Sequence, residues 1–217
     1  QNISGRIRVK RVPSRGKYDK ESVHSILDAS FLCHIGFIYE GYPVVIPTLF
    51  GLDNDKLYIH GANSSRMLKS LQKGIEISVA VTLVDGIVLA RSAFHHSMNY
   101  RSVVLFGTAA LVTDPEEKLR ALKIVSDQVM KDRWEEVRLP NEKELKATTV
   151  LAIPVNEASA KVRTGPPVDD KEDYGLDVWA GVIPLQFTIQ EPEPDPLLKE
   201  GIKLSPGVEN FLKREII

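Results

Sequence analysis

The stretch LYIHGANSSRMLKSL, Leu57 to Leu71, holds the residues with the clearest capacity for chemistry. Leu57 to Gly61 reads as a short strand, with Tyr58 and His60 on one face and Leu57 and Ile59 on the other. Asn63, Ser64 and Ser65 follow, and Arg66 to Leu71 reads as a short helix, with Gly74 placed to end it. A strand that runs through serine hydroxyls into a helix start offers free N–H groups and the positive end of a dipole to an anion. Arg66 adds a two-donor fork suited to a phosphate, and Lys69, one turn on, adds a second cation. A surface helix capped by Asn63 or Ser64 and carrying two solvated cations would read the same way. The stretch alone leaves both readings open.

Other reactive side chains are less informative. His95 and His96 are adjacent, so on a strand they would point oppositely; with Ser97 and Asn99 they read as a loop. No H-x-x-x-H or C-x-x-C spacing occurs, and no metal site is expected. Cys33 and His34 sit on an apolar strand and are expected to pack in the core. No general acid or base stands out, and catalytic residues stay unassigned.

The elements that must position these residues fit a chain of 217 residues, 43% hydrophobic, which suits one large β domain or two small ones. A net charge of −1 argues against a nucleic-acid surface. No apolar run reaches the ~18 residues of a membrane span, and no signal peptide is evident. The single cysteine cannot form an internal disulfide, which fits a reducing, cytoplasmic compartment.

Residues 1–18 are basic and irregular and read as a solvated arm. Asp19 caps a helix whose apolar face is Val23, Ile26 and Leu27. Phe31 to Tyr39 and Val44 to Leu52 read as a hairpin around Glu40 to Pro43, and the Leu57 strand extends it into a meander. Ile75 to Leu83 is a strand ended by an Asp85-Gly86 turn, with Ile87 to Ala90 able to continue it. Tyr100 to Val112 is the longest strand. Asp114-Pro115-Glu116-Glu117 opens a helix buried through Leu119, Leu122, Val125 and Val129. A short helix near Asn141 to Ala147 and strands Thr148 to Val155 and Ala158 to Thr164 complete about seven strands. Residues 190–217 form a Pro/Glu-rich tail, expected to be extended from Gln190 to Pro196.

Four segments in order carry a family likeness: GYPVVIPTLFG from Gly41, LYIHGANSSRMLKSLQKG from Leu57, YRSVVLFGTAA from Tyr100, and KVRTGPPVDD through VWAGVIPL from Lys161 to Leu185. They resemble the FMN-binding split-barrel proteins related to pyridoxamine 5′-phosphate oxidase, closest to the branch containing nitroimidazole-resistance proteins. The resemblance implies a mainly β, α+β fold: a six-stranded antiparallel split β-barrel with flanking helices, as a flavin-binding domain over residues 19–189. It implies FMN as cofactor. The isoalloxazine would lie along the backbone of Ile46, Pro47, Thr48 and Leu49, and the phosphate at Ser64, Ser65, Arg66 and Lys69. Arg101 and Ser102 align with polar residues that meet the flavin. Trp179 matches a flavin-contacting tryptophan, although a core or interface aromatic would read alike. His60 matches a pocket histidine of the nitroimidazole branch.

The resemblance further implies a homodimer with flavin between subunits, placing Trp179 and the His95–Tyr100 segment near the partner's cofactor. The expected activity is that of an oxidoreductase acting on a small acceptor. The alternative is a non-catalytic flavin- or haem-binding protein, with His60, His95 or His96 as iron ligand; a PLP or F420 binder is a third possibility. One departure counts against oxidase activity itself. The oxidase follows its tryptophan with an Arg/His pair for the substrate phosphate, whereas Ala180-Gly181-Val182-Ile183-Pro184 follows Trp179.

Overall fold

The computed structural model describes residues 3–213; residues 1–2 and 214–217, the outer ends of the basic arm and of the tail, lie outside them. A two-residue strand β1 (Gly16–Lys17) leads into α1 (Lys20–Asp28). The Asp19 carboxylate accepts the Ser22 backbone N–H at 2.8 Å, and Val23, Ile26 and Leu27 form the buried face, as their spacing requires. Strands β2 (Leu32–Tyr39) and β3 (Tyr42–Leu49) form a hairpin. Its two-residue turn uses left-handed backbone at Glu40 (φ 48°) and Gly41 (φ 88°), the geometry that matches strand twist.

The second strand of that hairpin does not run on to Leu52. The chain turns at Phe50, which is fully buried and donates its N–H to the Phe31 carbonyl at 3.2 Å. Strand β4 (Gly51–Asp53) then belongs to a second sheet with β5 (Lys56–Ala62), so the meander read from sequence is divided between two sheets. Helix α2 (Arg66–Leu71) follows β5. Next comes β6 (Glu76–Leu89), a continuous 14-residue strand. Asp85-Gly86 is not a turn within it but a bulge, where the register with the next strand shifts between Val84 and Gly86.

Strand β7 (Ser97–Thr108) starts earlier than the Tyr100 expected. It also ends earlier: the chain breaks at Ala109, and β8 (Ala110–Leu111) lies in the second sheet. Helix α3 (Pro115–Val129) is capped by Asp114, with Ala121 and Val125 most deeply buried. Helix α4 (Glu142–Ala147) has a full capping box between Asn141 and Glu144. Strands β9 (Thr148–Pro154), β10 (Ala158–Arg163) and β11 (Gly181–Pro184) follow. Residues 190–195 of the tail are in neither helix nor strand, and further on the tail carries α5 (Pro206–Leu212). The Gly207 N–H donates to the Glu136 carboxylate at 2.7 Å, tying that helix to the turn after α3.

The first sheet runs β1-β10-β7-β6-β2-β3, with β11 also on β6, and the second runs β4-β5-β9-β8; every pairing is antiparallel. Ile35, Phe37, Val79 and Leu105 of the first sheet meet Leu57, Ile59, Leu151 and Ile153 of the second in one core, which α1 and α2 close. This is a split barrel with flanking helices. A smaller cluster of Tyr58, Val112, Ala121, Val125 and Val150 packs α3 on the outer face of the second sheet. Among the described residues no helix is long and apolar enough to cross a membrane.

Gly51 is where α3 comes closest to the barrel. A Cβ there would stand 2.7 Å from the Val125 nitrogen and 2.8 Å from the Ile124 carbonyl carbon, both rigid helix backbone. Gly51→Ala is expected to force α3 outward and cost about 1–3 kcal/mol, as core overpacking does. Urea unfolding of the variant measures this, and an unchanged midpoint would contradict the close approach.

Candidate functional site

The strand-turn-helix stretch has the anticipated form. Leu57 and Ile59 enter the main core, while Tyr58 and His60 face α3. Ser65, rather than Asn63 or Ser64, caps α2: its hydroxyl accepts the Leu68 N–H at 3.4 Å. Asn63 instead fixes the turn to its neighbours, donating to the Lys146 carbonyl at 2.6 Å and accepting from the Thr149 hydroxyl at 2.8 Å. Ser64, Arg66 and Lys69 are exposed. Among the described ion pairs neither Arg66 nor Lys69 takes part, so both charges remain available. The Arg66 guanidinium lies over the Tyr39 ring, 4.9 Å from its centroid.

Strand β3 is the edge of the first sheet, and among the described strands nothing pairs with its outer side. Ile46 packs on the core, Thr48 is half-buried, and Pro47 and Leu49 are exposed. An open edge offers backbone N–H and carbonyl groups to a planar ligand. Proline at 47 removes one of those donors.

A cavity of about 560 Å³ lies between His60, Leu49 and α3. Leu122, Val125, Val129, Met130 and Trp134 supply its apolar walls, and Arg133 and Arg138 its cations. The α3 wall is fastened by Tyr58, whose hydroxyl donates to Glu117 at 3.0 Å, and by Arg120, which donates to that hydroxyl at 3.2 Å. Arg138 grips Glu144 with two hydrogen bonds of 2.8 and 2.9 Å, which hold the Glu144 carboxyl down to about 2. His60 Nδ1 is buried without a hydrogen-bond partner. Burial pushes the His60 pKa below its ordinary 6.5, so the ring is neutral with one nitrogen uncommitted. Sequence reasoning missed Arg133, Trp134 and Arg138. They lie between α3 and α4, where no apolar period marks a buried face. The sole signal there is a tryptophan among charges.

Arg101, Ser102 and Trp179 are not brought to the Ser64–Arg66 turn within one chain. Arg101 forms a two-point pair with Asp85 at the β6 bulge, with contacts of 2.7 and 3.1 Å. The Ser102 hydroxyl donates to the Lys161 carbonyl at 3.2 Å. Trp179 is 66% exposed beside β11, which pairs at the Leu89 end of β6. Tyr39, next to Arg66, lies at the Ile77 end. At about 3.3 Å per residue, roughly 40 Å of strand separates the two ends.

The remaining reactive groups separate clearly. Cys33 is fully buried, and burial pushes its thiol up to about 12. His34, expected in the core, is exposed, because alternation along β2 turns it outward from the buried Cys33 and Ile35. His96 Nδ1 accepts the Ala90 N–H at 3.1 Å and closes the loop before β7. His95 Nε2 lies 3.2 Å from Asp170, and with Asp173 it brings three ligand-type atoms within 4.8 Å of one another. No motif spacing could show this group, because its members come from distant loops. Those loops are pinned by the buried Asp169 carboxylate, which accepts the Arg91 and Ser92 N–H groups at 3.0 and 3.2 Å.

The family model for pyridoxamine 5′-phosphate oxidase matches residues 19–162. A flavocytochrome from Azotobacter vinelandii is 41% identical, with 95% of this chain and 96% of that one covered and a TM-score of 0.91. A FAD and haem binding protein from Mycobacterium smegmatis is 35% identical, covering 90% and 96% with a TM-score of 0.87. A putative 5-nitroimidazole antibiotic resistance protein from Bacteroides thetaiotaomicron is 27% identical, covering 68% and 86% with a TM-score of 0.56. No curated protein matches the chain.

The state of His60 has a consequence for stability. Its folded pKa lies below 6.5, so at lower pH the unfolded chain binds the proton first. The stability is therefore present above the unfolded value and is lost as pH falls below it. His60→Leu is expected to lose less stability between about pH 7.5 and about pH 5.5 than the parent does. Urea midpoints at the two pH values test this, and equal losses in both proteins would contradict it.

Proposed function

The chain belongs to the pyridoxamine 5′-phosphate oxidase family, and from that premise we propose that it is a flavin-binding oxidoreductase acting on a small acceptor, with haem as a second group. The supporting observation is the 41% identity to a flavocytochrome over 95% of the chain. The site residues fit both groups. An exposed turn with an uncommitted guanidinium at Arg66, a second cation at Lys69 and the Ser64 and Ser65 hydroxyls suits a flavin phosphate. The open β3 edge at Ile46, Pro47, Thr48 and Leu49 suits the isoalloxazine. The His60 cavity suits haem: an imidazole in its lining and apolar walls from Leu122, Val125, Val129, Met130 and Trp134. Leu49 lies on β3 and also lines the cavity, so the two sites adjoin.

When bound, flavin and haem supply hydride and one-electron chemistry. The chain's own residues bind, orient and exclude water. Burial favours the neutral form of His60, and α3 forms one wall of the cavity. We take the flavin to be FMN, whose phosphate Arg66 would hold; the Mycobacterium smegmatis protein binds FAD. A homodimer belongs to the same reading. It would carry Trp179 and the Arg101–Ser102 strand toward the partner's flavin and cover apolar groups such as Phe94, 88% exposed, and Trp179. The lone buried Cys33 suits a reducing cytoplasm.

Absorbance of the purified protein and mass spectrometry of the released ligand test the cofactors directly. A flavin band pair with a Soret band is expected, and a colourless protein that takes up neither group would overturn the reading. His60→Ala should abolish the Soret band on addition of haemin while flavin binding persists. Arg66→Ala should weaken FMN binding by about tenfold to a hundredfold, the worth of a charge-assisted hydrogen bond, and leave riboflavin little changed. Sedimentation at micromolar concentration should give a dimer, and a monomer that holds flavin tightly would contradict the shared site.

A further inference from the structure

We infer that Tyr39 is a positioning residue for Arg66: its ring holds the guanidinium at the phosphate turn while leaving the charge free. The inference rests on the flavin-phosphate reading above. Four arginines lie over aromatic rings among the described residues: Arg6, Arg66, Arg91 and Arg120. Three of them also hold a carboxylate: Arg6 with Glu76, Arg91 with Asp169 and Arg120 with Asp53. Arg66 alone among the four has a ring and no acid. A carboxylate would fix the fork but neutralise it and occupy its donors. An aromatic face fixes the cation through the ring quadrupole and leaves the in-plane N–H donors outward.

The platform is itself rigid. Tyr39 closes β2 and is paired in register with Tyr42 at the start of β3, so the two flank the Glu40-Gly41 turn. Their rings meet edge to face, with centroids 5.9 Å apart at 76°. Tyr39 also packs against the main core. Its position therefore follows from the hairpin register and not from a mobile side chain. The hairpin whose outer strand would carry the isoalloxazine thus also steadies the residue that would take the phosphate. An exposed arginine on the solvent side of a six-residue helix otherwise has many rotamers to lose on binding, and pre-ordering removes part of that cost.

The test is titration of the flavin-free, full-length protein with FMN and with riboflavin, read by quenching of flavin fluorescence. Tyr39→Ala should weaken FMN binding by about threefold to tenfold and leave riboflavin unchanged. Tyr39→Phe keeps the ring and should stay within about twofold of the parent. Tyr39→Leu keeps apolar bulk without the quadrupole and should behave as Tyr39→Ala does, which guards against a folding defect in the smaller variant. The double variant Tyr39→Ala/Arg66→Ala should bind FMN no more weakly than Arg66→Ala alone, since Tyr39 acts only through Arg66. Equal loss of FMN and riboflavin in both Tyr39→Ala and Tyr39→Leu, or additive losses in the double variant, would overturn the inference. An Arg66→Ala protein that weakens FMN selectively while Tyr39→Ala and Tyr39→Leu do nothing would overturn it and leave the phosphate reading standing. An Arg66→Ala protein that treats FMN and riboflavin alike would overturn both.

Discussion

The burial of Phe50 is the constraint on which the site depends. The ring is fully buried, and its backbone N–H is taken by the Phe31 carbonyl, so the chain must leave the first sheet there and enter the second. Gly51 follows at once and lets α3 lie directly on the crossing. A single hand-over therefore sets three things at once. It ends β3 at Leu49 with an open edge, starts the sheet that carries His60, and seats the helix that roofs the His60 cavity. Moving the crossing by one residue would invert every side chain of β3 between core and solvent. A second crossing at Ala109 does the same for β7 and β8. With both in place, the two sheets share one core, and the second sheet packs its outer face on α3.

Electrostatics then divides the arginines into those that build and those that remain free. Asp53, Asp85, Glu136, Glu144 and Asp169 each hold an arginine, and these pairs sit at joints: the bulge, the α3 wall, the cavity edge and the pinned loop. Exposed pairs of this kind contribute little stability on average, about 0–1 kcal/mol. For Arg101–Asp85 and Arg138–Glu144 the value is directional, because a two-point guanidinium–carboxylate contact fixes the angle of the element that carries it. Arg66 and Lys69 are left out of this scheme beside a turn with exposed Ser64. His60 completes the contrast, since burial disfavours the charged form of its imidazole.

Much of this was legible in the sequence where a local rule operates. Helix starts at Asp19, Asp114 and Asn141 follow from capping chemistry, and the alternation of Leu57 to His60 follows from strand period. What failed was governed by tertiary structure. A strand that changes sheets has no local mark, so Val44 to Leu52 and Tyr100 to Val112 each looked like one strand. Asp85-Gly86 carries turn chemistry, yet Arg101 across the sheet turns it into a bulge with a partnered acid. His34 was misplaced because an apolar neighbourhood says nothing about which face a residue takes. The strand-turn-helix stretch was readable because its residues are contiguous. The cavity was not, because its walls come from β3, β5, α3 and the turn after α3.

The length of β6 carries the last step. Within one chain, the Tyr39–Arg66 end of that strand and the Trp179 end are separated by roughly 40 Å of strand at about 3.3 Å per residue. The family likeness nevertheless assigns residues at both ends to one flavin. A single split barrel cannot fold back on itself to unite them, because β7 pairs with nearly all of β6 on one side, while β2 holds one end and β11 the other on the opposite side. The homodimer proposed above would remove the conflict, since a twofold axis can bring the Leu89 end of one copy to the Ile77 end of the other. The exposed apolar groups near the Leu89 end, Phe94, Met98 and Trp179, lie where such an arrangement needs cover. Within one chain, the pairing of Arg101 with Asp85 fixes the bulge between β6 and β7 in the middle of the first sheet, away from the Ser64–Arg66 turn.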